Sequence, residues 1–261
     1  MPKPLNIKWY GWRVDVPDKR DRYRIVRPRV EPLPALVDLR EHFPPCYDQG
    51  DLGSCTAQSI AGLLEFAQLK QPGGGDNFTP SRLFIYYYER KIEGTLKEDS
   101  GAQIRSGIKV VADQGAPPEE LWPYNIEKFT TRPPRKAFNE AKKHQAISYE
   151  RVCQKLEDIR GSLADGYPIA FGFSVYDGFE TDEVAKTGVL AFPKSEETML
   201  GGHAVVCCGY DHDKSLFIIR NSWGTDWGVN GYFTMPYEYV LDRDLADDFW
   251  TIRLIEEVGV T

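Results

Sequence analysis

The chain has 261 residues, long enough for one large domain or two small ones sharing a cleft, with 41 % hydrophobic and 27 % charged residues as in ordinary globular proteins. A net charge of −7 argues against a nucleic-acid partner, because neutralising phosphates needs a basic face. No stretch approaches the ~18 consecutive apolar residues of a membrane span, and the first ten residues lack the uninterrupted apolar run of a secretory signal. The five cysteines (Cys46, Cys55, Cys153, Cys207, Cys208) are odd in number and show no scaffold-like spacing. That usage suits a reducing compartment, so we expect a cytoplasmic chain, with no membrane or nucleic-acid partner and a monomeric state.

Residues 1–36 hold nine Lys/Arg against four Asp/Glu, +5 beside −12 for the remainder. Pro, Arg and aromatic residues fill this stretch without a period, which reads as an extended arm, partly ordered through Trp9, Tyr10 and Trp12. Its charge leaves two alternatives open, docking on the acidic body or a solvated tail. The compact body starts near Leu36-Val37-Asp38-Leu39-Arg40. Ser54 can cap a helix from Cys55 to about Gln71, with Ala57, Ile60, Ala61, Leu64 and Ala67 on one face. Pro72-Gly73-Gly74-Gly75 ends that helix. Thr79-Pro80 carries the N-cap and first-turn signature of a second helix through Arg90. A third, about Ala102–Asp113, spaces Ile104, Ile108 and Val111 helically. After a Pro-rich crossing from Ala116 to Pro134, a helix is expected around Glu150–Leu163. Strand-like runs follow at Ile169–Tyr176, Ala204–Tyr210, Leu216–Arg220, Gly231–Met235 and Phe249–Ile255. Helices first and strands afterwards imply an α+β protein with a helical and a β-rich subdomain. Cys207 and Cys208 fall in a buried strand, where cysteine acts as a small hydrophobe.

Three positions combine into thiol chemistry. A cysteine is nucleophilic as its thiolate, and the first turn of a helix lowers its pKa through unpaired N–H groups and the dipole; Cys55 stands there. His203 follows two glycines and begins a strand, suited to act as base and then as general acid. Asn221, leading Asn221-Ser222-Trp223-Gly224, can fix the imidazole's orientation and tautomer, with Trp223 shielding that bond. Gln49, six residues before Cys55, can join the Cys55 backbone N–H in donating to a developing oxyanion. Singly, such residues are more often structural, and His42, His144 and His212 lack comparable flanks. It is the joint order that points to a catalytic set.

Gln49-Gly50-x-x-Gly53-Ser54-Cys55, Gly202-His203-Ala204-Val205, and Asn221-Ser222-Trp223-Gly224-x-x-Trp227-Gly228-x-x-Gly231-Tyr232 together resemble the papain-like cysteine peptidases. In that family His and Asn follow the cysteine by roughly 130–150 residues; here the intervals are 148 and 166. The likeness extends to Val37-Asp38-Leu39-Arg40, similar to the family's mature start, and to Trp122-Pro123-Tyr124. It covers most of residues 36–235. Tyr10-Gly11-Trp12 followed by Pro17-Asp18-Lys19-Arg20-Asp21 is similar to bacterial members.

The resemblance implies an arm over residues 1–35 and a catalytic domain over 36–261, with a helical subdomain at about 46–140 and a β-barrel-like one at about 141–256. The cleft lies between them. It further implies hydrolysis of peptide or protein substrates through an acyl-enzyme, with no metal or cofactor. Gln49, Cys55, His203 and Asn221 would be catalytic. Substrate backbone would pair with the loop Ser100-Gly101-Ala102. Gly172, Gly202 and Ala204 would form the pocket for the residue preceding P1, and Trp223 and Trp227 would line the leaving-group side. Leu52 and Asp99 stand where the family has a disulfide, and Thr56 replaces the aromatic residue after the nucleophile. The arm is shorter than the family's prosegment of about a hundred residues, and the expectation is that it lies near or across the cleft. Two other readings are a catalytically weak peptide-binding module of the same fold, suggested by Thr56, and a non-proteolytic acyl transferase. Transferases of the transglutaminase type prefer Asp as orienter, whereas this chain has Asn221.

Overall fold

A computed structural model describes residues 10–25, 31–70 and 77–255. Among them, the helices are α1 (Cys55–Lys70), α2 (Arg82–Glu93), α3 (Ile104–Asp113), α4 (Arg135–Ala141), α5 (Leu156–Ala164), α6 (Asp182–Thr187) and α7 (Tyr237–Leu241). The strands are β1 (Leu36–Asp38), β2 (Ala146–Arg151), β3 (Ile169–Tyr176), β4 (Met199–Asp211), β5 (Leu216–Arg220), β6 (Tyr232–Pro236) and β7 (Ala246–Ile255). The strands form one antiparallel sheet in the order β2-β7-β3-β4-β5-β6, with β1 also on β4. No described helix is long and apolar enough to cross a membrane.

Strand alternation divides the core. Ala170 of β3 and Ala204 and Val206 of β4 face α1, meeting Ile60, Ala61 and Leu64. Phe171, Phe173, Val205 and Cys207 face the other way, into a cluster closed by Ile159 and Leu163 of α5 and by Val240 of α7. β3 is covered on both faces, which is why it reads as a continuous apolar run rather than an alternating one. α1 is buried all round from Cys55 to Ala67, not along one stripe. Three of its buried polar side chains are matched, Thr56 to Glu89, Gln58 to Ser54 and Glu65 to Tyr47.

Several boundaries differ from the sequence reading. The second helix starts at Arg82 with Ser81 as its cap, the Ser81 side chain accepting from the Phe84 N–H. Pro80 is instead paired with Pro118 across a loop. The third begins at Ile104, because Ala102 is engaged in backbone pairing with Trp12. The helix expected from Glu150 starts at Leu156: Glu150 and Arg151 are strand residues held in register by Thr251 and Trp250. Strand β2, helix α4 and the short helices α6 and α7 were not anticipated. The Pro72–Gly75 stop and Trp9 lie outside the described residues.

All five thiols are free. At the two positions where the resemblance leads one to expect a disulfide, Leu52 is buried and the Asp99 carboxylate accepts from the Gly53 N–H (3.0 and 3.1 Å) and from the Tyr86 hydroxyl. A charge-assisted hydrogen bond thus ties the loop ahead of Cys55 to the segment following α2.

Candidate active site

The four residues singled out for catalysis are all buried; hydrogen bonds link His203 to Asn221 and Gln49 to Ser222, and Cys55 meets the backbone of Ala204 beside His203. Cys55 opens α1, where the first N–H groups have no intrahelical partner. His203 lies on β4 opposite Phe173 of β3, on the face away from α1. Asn221 immediately follows β5, its N–H donating to the Gly231 carbonyl (3.0 Å). His203 Nε2 is 2.8 Å from Asn221 Oδ1, and that oxygen also accepts from the Ser222 N–H at 2.8 Å. Oδ1 is therefore the acceptor for both, so Nε2 carries the proton and Nδ1 is left as the basic nitrogen. Trp223 stacks on the imidazole, centroids 5.1 Å apart at 29°, and covers the His–Asn bond. Trp227 packs edge-on behind Trp223, against Phe179 and Phe233.

Gln49 is linked to the same corner. Its Oε1 accepts from the Ser222 hydroxyl (2.6 Å), and its Nε2 donates one hydrogen to the Leu52 carbonyl (3.0 Å). The backbones join too, Gln49 N–H to Ser222 O at 2.9 Å and Gly224 N–H to Tyr47 O at 2.8 Å. The loop that delivers Cys55 and the loop that delivers Asn221 are thus one hydrogen-bonded unit. Tyr124 braces it: its hydroxyl donates to the Gln49 carbonyl (2.9 Å) and lies 2.6 Å from Ser54 Oγ. Ser54 therefore engages Tyr124 and Gln58 through its side chain. Sequence reasoning passed over the Ser222 hydroxyl and over Tyr124's contact with this loop. Their adjacency to Asn221 and to the Trp122-Pro123-Tyr124 motif was the available signal.

The arm passes through this site. Gly11 runs between Gly53 and Gly101, so close that a Cβ on Gly11 would lie 1.9 Å from the Gly53 carbonyl oxygen. The Ala102 N–H donates to Gly11 O (2.7 Å), Arg13 N–H to Ala102 O (3.0 Å) and Trp12 N–H to Gly202 O (2.8 Å). This is a parallel bridge between Trp12 and Ala102, occupying the backbone groups expected to hold substrate. Tyr10 places its ring edge against His203, centroids 6.0 Å apart, and its hydroxyl meets Glu180. Trp12 lies over Gly172 and Gly202.

Among the described residues the arm docks through charges of both signs. Of its acids, Asp15 accepts from Arg151 Nη2 (2.9 Å), Trp250 Nε1 (2.9 Å) and the Arg105 N–H (3.0 Å), and Asp21 bridges Arg105. Among the arm's cations, Arg13 meets Glu93 and Arg24 meets Asp165. Asp248, a residue the sequence reading did not weigh, receives Trp12 Nε1, the Asp15 N–H and Arg151. Burial and the Asp15 carboxylate push Asp248 up to about 7. An acidic pair inside the apolar strand Ala246–Ile255 was its signal in the sequence.

Under this cover the thiol and imidazole are both neutral at pH 7. Burial pushes Cys55 up to about 12, against hydrogen bonds from the backbone of Ala204, Gly11 and Thr56, with Glu89 adding to the rise. Burial also lowers His203 to about 4, opposed by its bond to Asn221. Thr56 removes no group from the site; its hydroxyl donates to Glu89 Oε2 at 2.9 Å.

Comparison with known proteins agrees with this architecture. The family described as papain family cysteine protease matches residues 33–242. An uncharacterized peptidase C1-like protein of Acanthamoeba polyphaga mimivirus is 41 % identical, over 95 % of this chain and 88 % of its own length. The crystal structure of xylellain, a cysteine protease from Xylella fastidiosa, has 40 % identity and a TM-score of 0.85, covering 94 % of this chain and 95 % of that one. Procathepsin L of Felis catus is 28 % identical over 87 % of this chain and 67 % of its own length.

Proposed function

The chain belongs to the papain family of cysteine proteases and is a cysteine peptidase with that family's α+β fold, and we propose that Cys55, His203, Asn221 and Gln49 carry the reaction while the N-terminal arm holds the cleft closed. The observation behind this reading is the single hydrogen-bonded unit that joins the His203–Asn221 pair through Ser222 to Gln49 and the loop entering Cys55. With Nε2–H held by Asn221, Nδ1 is free to take the Cys55 proton. The thiolate then attacks the scissile carbonyl, and the oxyanion is met by the Cys55 N–H and the second Nε2 hydrogen of Gln49. Imidazolium returns its proton to the leaving amine, and water hydrolyses the acyl-enzyme with His203 again as base. Losing one oxyanion donor costs about 2.7–4 kcal/mol in the transition state, so Gln49→Ala lowers kcat by roughly 10²–10³.

The arm restrains this chemistry in two ways. It takes the backbone groups of Ala102 and Gly202, and it dehydrates Cys55 and His203 so that the ion pair does not form. Departure of the arm returns water to the site and both pKa values toward the range where thiolate and imidazolium coexist. Cleavage of a denatured protein by the wild type, abolished in Cys55→Ala and faster after removal of residues 1–34, is the expected result. Cleavage retained by Cys55→Ala defeats the assignment, and an unchanged rate after removal of the arm defeats its restraining role. Product masses separate water from an amine as acyl acceptor, and hence peptidase from transferase.

A further inference from the structure

Trp12 is held by the cleft at both ends of its side chain. A methyl group at Gly172 would lie 1.9 Å from Trp12 Cε2, and one at Gly202 2.7 Å from Trp12 Cε3. Neither glycine has a left-handed backbone, so the missing side chains serve to leave room for the ring. Ala204 and Trp250 share its apolar cluster. At the far end the indole Nε1 donates to Asp248 Oδ2 at 3.1 Å.

Asp248 is built as a fixed acceptor. It is 1 % exposed, sits at φ +61° where the pairing of β3 with β7 shifts register, and has Oδ1 held by Arg151. The donors to Oδ2, Trp12 Nε1 and the Asp15 N–H, both belong to the arm. When the arm leaves, that oxygen is stranded at the end of an apolar pocket. A site built to receive a hydrogen bond discriminates strongly against side chains that cannot supply one.

Taking Cys55 as the nucleophile and the arm as the occupant of its cleft, we propose that the pocket vacated by Trp12 selects an aromatic substrate side chain bearing a hydrogen-bond donor, tryptophan above all, and that Asp248 reads that donor. A cationic side chain is disfavoured despite the carboxylate. Asp248 is already engaged by Arg151, and departure of the arm frees Arg151 and Arg105 from Asp15 and Asp21. A lysine or arginine would enter against two guanidiniums, whereas a neutral indole meets the carboxylate oxygen alone. Asp247 beside Asp248 directs its Oδ1 to the Asp248 N–H, leaving it committed to the backbone.

The test uses the full chain and fluorogenic dipeptide amides with arginine beside the scissile bond and Trp, Phe, Leu or Arg one residue upstream. The fraction of molecules with the arm docked scales every kcat/KM equally and cancels in their ratios. Trp is expected to exceed Phe by about tenfold, the worth of one hydrogen bond to a carboxylate, with Arg below Phe. In D248A the Trp:Phe ratio falls to about one. D248N, whose amide oxygen still accepts and whose side chain tolerates positive φ, keeps an intermediate ratio. A wild-type ratio near one, or Arg leading, overturns the assignment of Asp248 and leaves the peptidase reading intact. Failure of the reduced protein to hydrolyse any of the four even after removal of residues 1–34 overturns both.

Discussion

Gly11→Ala separates docking of the arm from every other property of the site. The added Cβ would lie 1.9 Å from the Gly53 carbonyl oxygen and 2.5 Å from its carbon, both backbone atoms of the loop pinned by Asp99. Reaching ordinary contact near 3.4 Å requires the arm to lift by about 1.5 Å. The hydrogen bonds from Ala102 to Gly11, Trp12 to Gly202 and Arg13 to Ala102, now 2.7, 2.8 and 3.0 Å, do not survive that displacement. At about 1 kcal/mol each they sum to about 3 kcal/mol, shifting the docked-to-open ratio by roughly 150-fold. The substitution adds no charge, and the Gly11 backbone leaves Cys55 together with the arm, so KM and the chemistry of an open molecule are unaltered. The assays are kcat/KM on a short fluorogenic peptide and the rate of Cys55 alkylation in full-length protein. Both rise together, up to the ceiling set by the fully open enzyme. An unchanged alkylation rate in a folded Gly11→Ala protein refutes the steric account, and a rise in alkylation without a rise in hydrolysis refutes the link between the arm and activity.

Other consequences follow from single contacts. Ser222→Ala removes the 2.6 Å bond that aims Gln49, so kcat falls about tenfold with little change in KM, and Ser222→Thr restores part of it. Asp99→Ala leaves the Gly53 N–H and Tyr86 hydroxyl without their acceptor and lowers stability by about 2 kcal/mol in urea unfolding. Burial holds His203 at about 4 against 6.5 when unfolded, so the unfolded chain takes up the proton first. The stability of the neutral ring is then present above about pH 6.5 and lost as the pH falls toward 4. The stability difference between wild type and His203→Gln accordingly shrinks by about 3 kcal/mol between pH 7 and pH 4.

The features most legible in the sequence were those with a local physical signature. β3 and β5 were bounded correctly because each is an apolar run ended by turn residues. α1 was found because Ser54 precedes an apolar-periodic run from Ala57 to Ala67, although its complete burial exceeds what its periodicity conveys. Glu150 and Arg151 were misread as helix because their strand pairing comes from β7, a hundred residues away in the chain. The start of α2 was misplaced because Thr79-Pro80 and Ser81 compete as start signals, and pairing of Pro80 with Pro118 decides between them. The catalytic candidates were recognised by residue type and order, and the Ser222–Gln49 bond that unites them depends on the loops meeting. Composition gave the arm a basic charge, yet the contacts of its described residues use both signs, Asp15 and Asp21 meeting Arg105, Arg151 and Trp250 while Arg13 and Arg24 meet Glu93 and Asp165, because docking depends on which partners wait in the body.

The assignment of Cys55 as the nucleophile is tested most directly by covalent capture. Reduced full-length protein is incubated with a thiol-directed epoxide peptide, digested and mapped by mass spectrometry. We expect a single adduct on Cys55, none on Cys46, Cys153, Cys207 or Cys208, and loss of peptide hydrolysis in proportion to labelling. Hydrolysis that persists after stoichiometric modification of Cys55, or inactivation that tracks a different thiol, contradicts it.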